Sequence, residues 1–128
     1  MFEMLEYQKE TDNKYRWDNI HNGVKFELYI PKWRVPNPKP NSVYVEIFDK
    51  SSYNMDFKKH SRSKYENNEE LKKNKIIAHV KWIADHTKTA RFNPVVDSEE
   101  AEIGSLYVPF DLLPNRTSKE LIIEVCWK

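Results

Sequence analysis

The chain has 128 residues, 39% of them hydrophobic and 32% charged, with a net charge of +1. That composition excludes fibrous and disordered classes and gives no overall attraction to nucleic acid or acidic membranes. One cysteine, Cys126, excludes an internal disulfide, so the expectation is a cytoplasmic chain forming one domain over 1–128, without signal peptide or membrane span.

Strand signals dominate, because β-branched and aromatic residues recur at a spacing of two between Pro, Asn and charged residues. At the N-terminus FEMLEY suits a strand or the start of a helix. GVKFELYIP predicts a strand over 23–31 with Phe26, Leu28 and Ile30 on one face and Lys25, Glu27 and Tyr29 on the other. Pro31 ends it, and Pro36 leaves room only for a turn or one helical turn at 32–35. SVYVEIFD predicts a strand over 42–49, with Val43, Val45 and Ile47 inward and Glu46 outward.

Residues 51–78 are polar and basic, with seven Lys or Arg against four Asp or Glu. Their second half, ENNEELKKNK, suits a solvated helix in which Glu69 and Glu70 support Lys73. IIAHVKWIAD predicts a strand over 76–85, and GSLYVP extends another over 102–109. A turn at 110–113 precedes the last strand, 120–127, which sets Leu121, Ile123 and Val125 inward and Glu124 outward. The fold class expected is mainly β, a small closed or partly open barrel or sandwich of about six strands with an inserted loop and short helix.

LYIPKWRVPN at Leu28 recurs as LYVPFDLLPN at Leu106. Sliding the chain by 78 residues sets Leu28 on Leu106, Tyr29 on Tyr107, Pro31 on Pro109, Pro36 on Pro114 and Glu46 on Glu124. Upstream, Phe2, Met4 and Leu5 fall on Val80, Trp82 and Ile83. Residues 1–50 and 79–128 therefore read as two halves related by a pseudo-twofold axis, with 51–78 inserted between them. Neither half can bury its apolar face alone, and together they close a sheet.

The strand, YVP and short-turn order of GSLYVPFDLLP resembles the turn of AbrB-type swapped-hairpin and double-psi barrel proteins. The resemblance spans about ten residues in each copy and implies a small barrel. The basic residue early in the strand and the Gly-Asp turn of that family are missing from both copies.

The chain has four His, one Cys and two Gly, and lacks the HExxH, CxxC, GxSxG and Gly-rich phosphate-loop patterns. No metal or cofactor is expected. Glu46 and Glu124, at equivalent positions of the two copies, are the only acid pair that suggests glycoside-hydrolase chemistry. Tyr29 and Tyr107 are repeated outward aromatics, suited to padding or to a stacking platform.

Basic and aromatic residues interleave twice: at Lys32, Trp33, Arg34 and Lys39, and at Phe57, Lys58, Lys59, His60, Arg62, Lys64 and Tyr65. That mixture neutralises phosphates while stacking on bases. The reading is a non-catalytic binding module, with Tyr29, Lys32, Trp33, Arg34, Lys58, Lys59, Arg62 and Lys64 as ligand-binding residues. Nucleic acid is the first partner, a protein the alternative, and a small hydrolase using Glu46 and Glu124 the second alternative.

Overall fold

A computed structural model describes residues 2–53 and 62–128. Eight strands form a closed barrel: β1 Phe2–Glu10, β2 Lys14–His21, β3 Val24–Pro31, β4 Ser42–Asp49, β5 Lys75–Asp85, β6 Thr89–Pro94, β7 Leu106–Pro109 and β8 Glu120–Cys126. Their order around the barrel is β1-β2-β3-β7-β6-β5-β8-β4, and every neighbouring pair is antiparallel. Closure leaves no strand edge to aggregate. Among the described residues no helix is long and apolar enough to cross a membrane.

The barrel has eight strands rather than six because β2 and β6 carry weak alternation. In β2, Tyr15 and Trp17 face the core, but polar Asn19 follows them on that face while Ile20, 63% exposed, points outward. The six residues of β6 offer only Ala90 and Phe92 to the core. A different signal marks β2. Asn22 and Gly23, with φ of 50° and 77°, form a two-residue connection between His21 and Val24, as the positive dihedrals of a type I′ hairpin turn require.

Inward positions are filled as the alternation predicts: Phe26, Leu28, Ile30, Val43, Val45, Ile47, Leu121, Ile123 and Val125 are all buried. Short 3₁₀ turns follow both YxP segments, at Lys32–Arg34 and Phe110–Leu112. A third 3₁₀ turn covers Lys50–Ser52. Two single-turn helices, α1 Arg62–Tyr65 and α2 Glu69–Lys72, belong to the insertion. Asn68 caps α2, and Lys73 pairs with Glu70 at 3.2 Å. β5 begins at Lys75, so the insertion is shorter than 51–78. β7 begins four residues later than the expected 102, since the backbone up to Ser105 belongs to a loop.

The two halves share one topology. β1, β2 and β3 form a meander and β4 returns beside β1; β5, β6 and β7 form a second meander and β8 returns beside β5. Each is a four-stranded Greek key in the order 4-1-2-3. They join through two seams on opposite walls, where Leu28 pairs with Leu106 and Glu46 with Glu124. A twofold axis must pass between the members of each pair, because each residue faces its own counterpart.

An offset of 78 thus holds for β3, β4, β7 and β8, whereas in β1 and β2 the matching offset is 75. Leu5 pairs with Val43 as Val80 pairs with Leu121. The Tyr7 and Trp82 amides donate to the carbonyls of Asn41 and Lys119, and those of Lys32 and Phe110 to Asn13 and Lys88. Val80 is therefore the counterpart of Leu5 rather than of Phe2. The three-residue slip arises in the β2–β3 and β6–β7 half of each meander, where the connections are 22–23 and 95–105.

Candidate functional site

The shorter seam carries the most distinctive surface of the barrel. Leu28 and Leu106 point inward there, which turns Tyr29 and Tyr107 outward on adjacent strands, since successive side chains alternate. Their rings lie 6.5 Å apart at 68°, an edge-to-face pair. Arg16 stands opposite Tyr29 on β2, and Arg91 opposite Tyr107 on β6. Arg16, Tyr29, Tyr107 and Arg91 form a diagonal row across four strands, in which Glu27 rather than Tyr29 stands directly opposite Tyr107. The Arg91 guanidinium lies 5.7 Å from the Tyr107 ring, and the His86 ring lies 5.7 Å from its centre.

A hydrogen bond with Tyr29 raises the Arg16 guanidinium above its ordinary value, against partial burial, and Asp18 sits 3.1 Å from its Nε. Arg91 Nη2 donates to Ser105 Oγ at 3.4 Å, and Ser105 Oγ donates to Asn93 Oδ1 at 3.0 Å. Arg91 Nε is buried with no acceptor among the described residues.

Beside this row lies a groove of about 500 Å³, lined by Thr11, Lys14, Tyr29, Asn93, Ser105 and Tyr107 among others. Its second wall is the loop 95–105, packed down through buried Ala101 and Ile103. The Gly104 amide donates to the Tyr29 carbonyl at 2.7 Å. A Cβ on Gly104 would lie 2.8 Å from Lys14 Cε and 3.2 Å from Tyr29 Cβ, so glycine permits the loop to approach the barrel this closely. A volume of this size, part apolar and part polar, suits a small organic ligand or one or two units of a polymer.

The other expected binding residues that the structure describes, Lys32, Trp33, Arg34, Arg62 and Lys64, belong to the first 3₁₀ turn and to α1. Lys58 and Lys59 lie outside the described residues. Trp33 and Arg34 meet the insertion: the Trp33 and Tyr65 rings are 6.0 Å apart, Arg34 sits 4.2 Å over Tyr65, and Arg62 lies 5.4 Å over Trp33. Turn and insertion therefore converge, but their cations face acidic partners. Lys32 pairs with Glu10 at 2.5 Å, Arg34 with Glu102 at 2.7 Å and Arg62 with Glu66 at 2.8 Å. Lys64 is exposed on α1.

Arg34 is 1% exposed. Besides Glu102 it donates to the carbonyls of Lys72 at 3.1 Å and Lys75 at 2.7 Å. The Arg62 amide donates to Glu100 at 2.7 Å. Burial, then the Glu102 carboxylate, pushes the Tyr65 hydroxyl up to about 12. Arg34, Arg62 and Tyr65 thus bind the groove loop to the first 3₁₀ turn and the insertion.

Glu46 and Glu124 face each other across the opposite seam. Lys75 contacts Glu124 at 2.7 Å, and the Tyr53 hydroxyl donates to it at 2.8 Å. Burial raises the Glu124 carboxyl, but these two hydrogen bonds outweigh it and hold the group below its ordinary value. A general acid requires the reverse. Neither carboxylate lines the groove. Among the described residues no group of His, Cys, Asp and Glu is placed to hold a metal.

Lys14, Arg16 and Arg91 were not legible as site residues because β2 and β6 were not legible as strands. The Asn22-Gly23 turn fixes the register that sets Arg16 beside Tyr29, so that dipeptide was the available signal. No protein-family model matches the chain, and no curated protein matches it.

Proposed function

We propose that this protein is a non-catalytic binding module whose ligand is single-stranded nucleic acid, held on the tyrosine and arginine row and in the groove beside it. One observation carries the reading: Tyr29 and Tyr107 meet diagonally across the seam on the outer wall, and each has an arginine opposite it on its other side, Arg16 and Arg91. Aromatic faces stack bases of any sequence, and flanking cations follow the phosphates. Lys14 extends the cationic edge along the groove. Of the basic residues in the turn and insertion, Arg34 and Arg62 support this surface by fixing its loop, and Lys32 is paired with Glu10.

Fluorescence anisotropy with a labelled single-stranded oligonucleotide of about a dozen nucleotides tests it. Affinity should fall as salt rises, and exceed that for duplex of the same sequence. Arg16→Ala and Arg91→Ala should each lower the salt slope by about one. Binding that is absent at low salt, or indifferent to the tyrosines, sinks the proposal.

A further inference from the structure

The wall opposite the groove has a different character. On the outer face of β1, Phe2 and Met4 are 58% and 43% exposed. Phe2 stacks on Tyr44 of β4, ring centres 5.5 Å apart and planes at 17°. Met4 lies opposite Tyr44, and Phe2 opposite Glu46. Isolated exposed apolar residues are ordinary, but a contiguous cluster of them marks an interaction surface.

The same wall is acidic. Glu6 flanks the cluster along β1, accepting from Ser42 Oγ at 3.2 Å. Glu46 sits directly opposite Glu124, and like charges at directly opposed positions destabilise a sheet. Lys75 answers only Glu124; Glu46 has no ion pair among the described residues. The seam therefore holds one carboxylate that no cation among the described residues answers, next to an aromatic stack whose Phe2 is largely exposed.

We infer that the β1–β4 wall, with Phe2, Met4 and Tyr44 as its apolar floor and Glu6 and Glu46 as its charges, docks a basic protein segment that alternates cationic with apolar side chains. The apolar side chains of the segment cover Phe2 and Met4, and its cations face the two carboxylates. This surface is independent of the groove. With both occupied, the barrel bridges two ligands from opposite walls.

A peptide of about eight residues alternating Lys with Leu and Phe, long enough to cross this pair of strands, is titrated into the isotope-labelled protein. Amide shifts should move around Met4, Tyr44 and Glu46 and leave Tyr29 and Tyr107 unmoved. Glu46→Lys and Phe2→Ala, both at surface positions, should each weaken binding about tenfold while leaving circular dichroism unchanged. Tyr107→Ala should bind as the parent does. The inference is overturned by shifts confined to another wall, by equal binding of a peptide with Glu in place of Lys, or by a dimer in sedimentation that Phe2→Ala dissolves, which would make the occupant a second copy.

Discussion

Arg34 and Leu112 occupy the same place in the two halves, each in the 3₁₀ turn after a YxP segment and each buried, at 1% and 0% exposure. The leucine plugs one end of the barrel with apolar surface alone. The arginine does so while donating to the Glu102 carboxylate and to the carbonyls of Lys72 and Lys75, bonds that a leucine side chain cannot make. One framework therefore serves two ends, and the half that carries the insertion uses a charged plug to hold it. Of the turn residues, Arg34 is buried against the insertion, whereas the repeated tyrosines lie half-buried on the outer wall.

Making the halves alike gives the largest expected effect. Arg34→Leu, which installs the residue of the second half, leaves Glu102 half-buried without its cation and two carbonyls without donors. Breaking a buried pair from one side costs about 3–5 kcal/mol, read as a lower urea midpoint. Arg34→Leu combined with Glu102→Leu should cost less than the sum of the single changes, since the stranded charge is gone. Additive losses would mean that the pair is not coupled.

The tyrosines are where the halves agree, so the next test removes that agreement. Tyr29→Ala and Tyr107→Ala should each weaken oligonucleotide binding by about 1–3 kcal/mol, the range of one base stacked on one ring. Phe at either position should retain most of the affinity. Because the two rings touch, the double variant should depart from additivity. Equal affinities for parent and Ala variants would assign the pair to padding.

How far the sequence discloses these arrangements depends on whether a residue's partner is local. Inward faces of β3, β4 and β8 follow from alternation, and both 3₁₀ turns follow from proline spacing. The 78-residue echo marks Leu28 and Leu106, and Glu46 and Glu124, as equivalent positions; that each pair also faces across a seam is visible only in the fold. Arg34 is different: its partners Glu102, Lys72 and Lys75 lie far along the chain, so no window around Lys32-Trp33-Arg34 reveals that the guanidinium is buried. Asn19 inward and Ile20 outward hid β2, and with it Arg16.

A third contrast concerns the connections inside the two meanders. Asn22-Gly23 closes β2 onto β3 in two residues, whereas 95–105 joins β6 to β7 and walls the groove. Gly23 has φ of +77°, and a Cβ added there would meet nothing within 4 Å. Gly23→Ala therefore carries only a backbone cost, about 1–2 kcal/mol for an L-residue in the left-handed region. It should lower the urea midpoint without changing oligonucleotide affinity, because the turn lies away from the groove.

The smallest effect distinguishes how each half fastens the segment leading into its last strand. In the first, the Pro40 carbonyl accepts from Trp17 Nε1 at 3.1 Å. Its counterpart, Ser118, donates from Oγ to Asp49 at 2.6 Å, tying the second half to the first. That bond, followed by those from Ser51, lowers the Asp49 carboxyl below its ordinary value. A group whose folded pKa is depressed contributes its stability above the unfolded value, about 3.9 for Asp, and loses it as pH falls through the folded one. Ser118→Ala should thus cost about 1 kcal/mol at pH 7, the net worth of one hydrogen bond. In urea unfolding the gap between parent and variant should narrow on acidification, because the parent alone forfeits the Ser118 bond to the ionised carboxylate. A gap that stays constant through the carboxylate range would mean that Ser118 acts through packing, and the second half would then fasten its last strand as the first does, without charge.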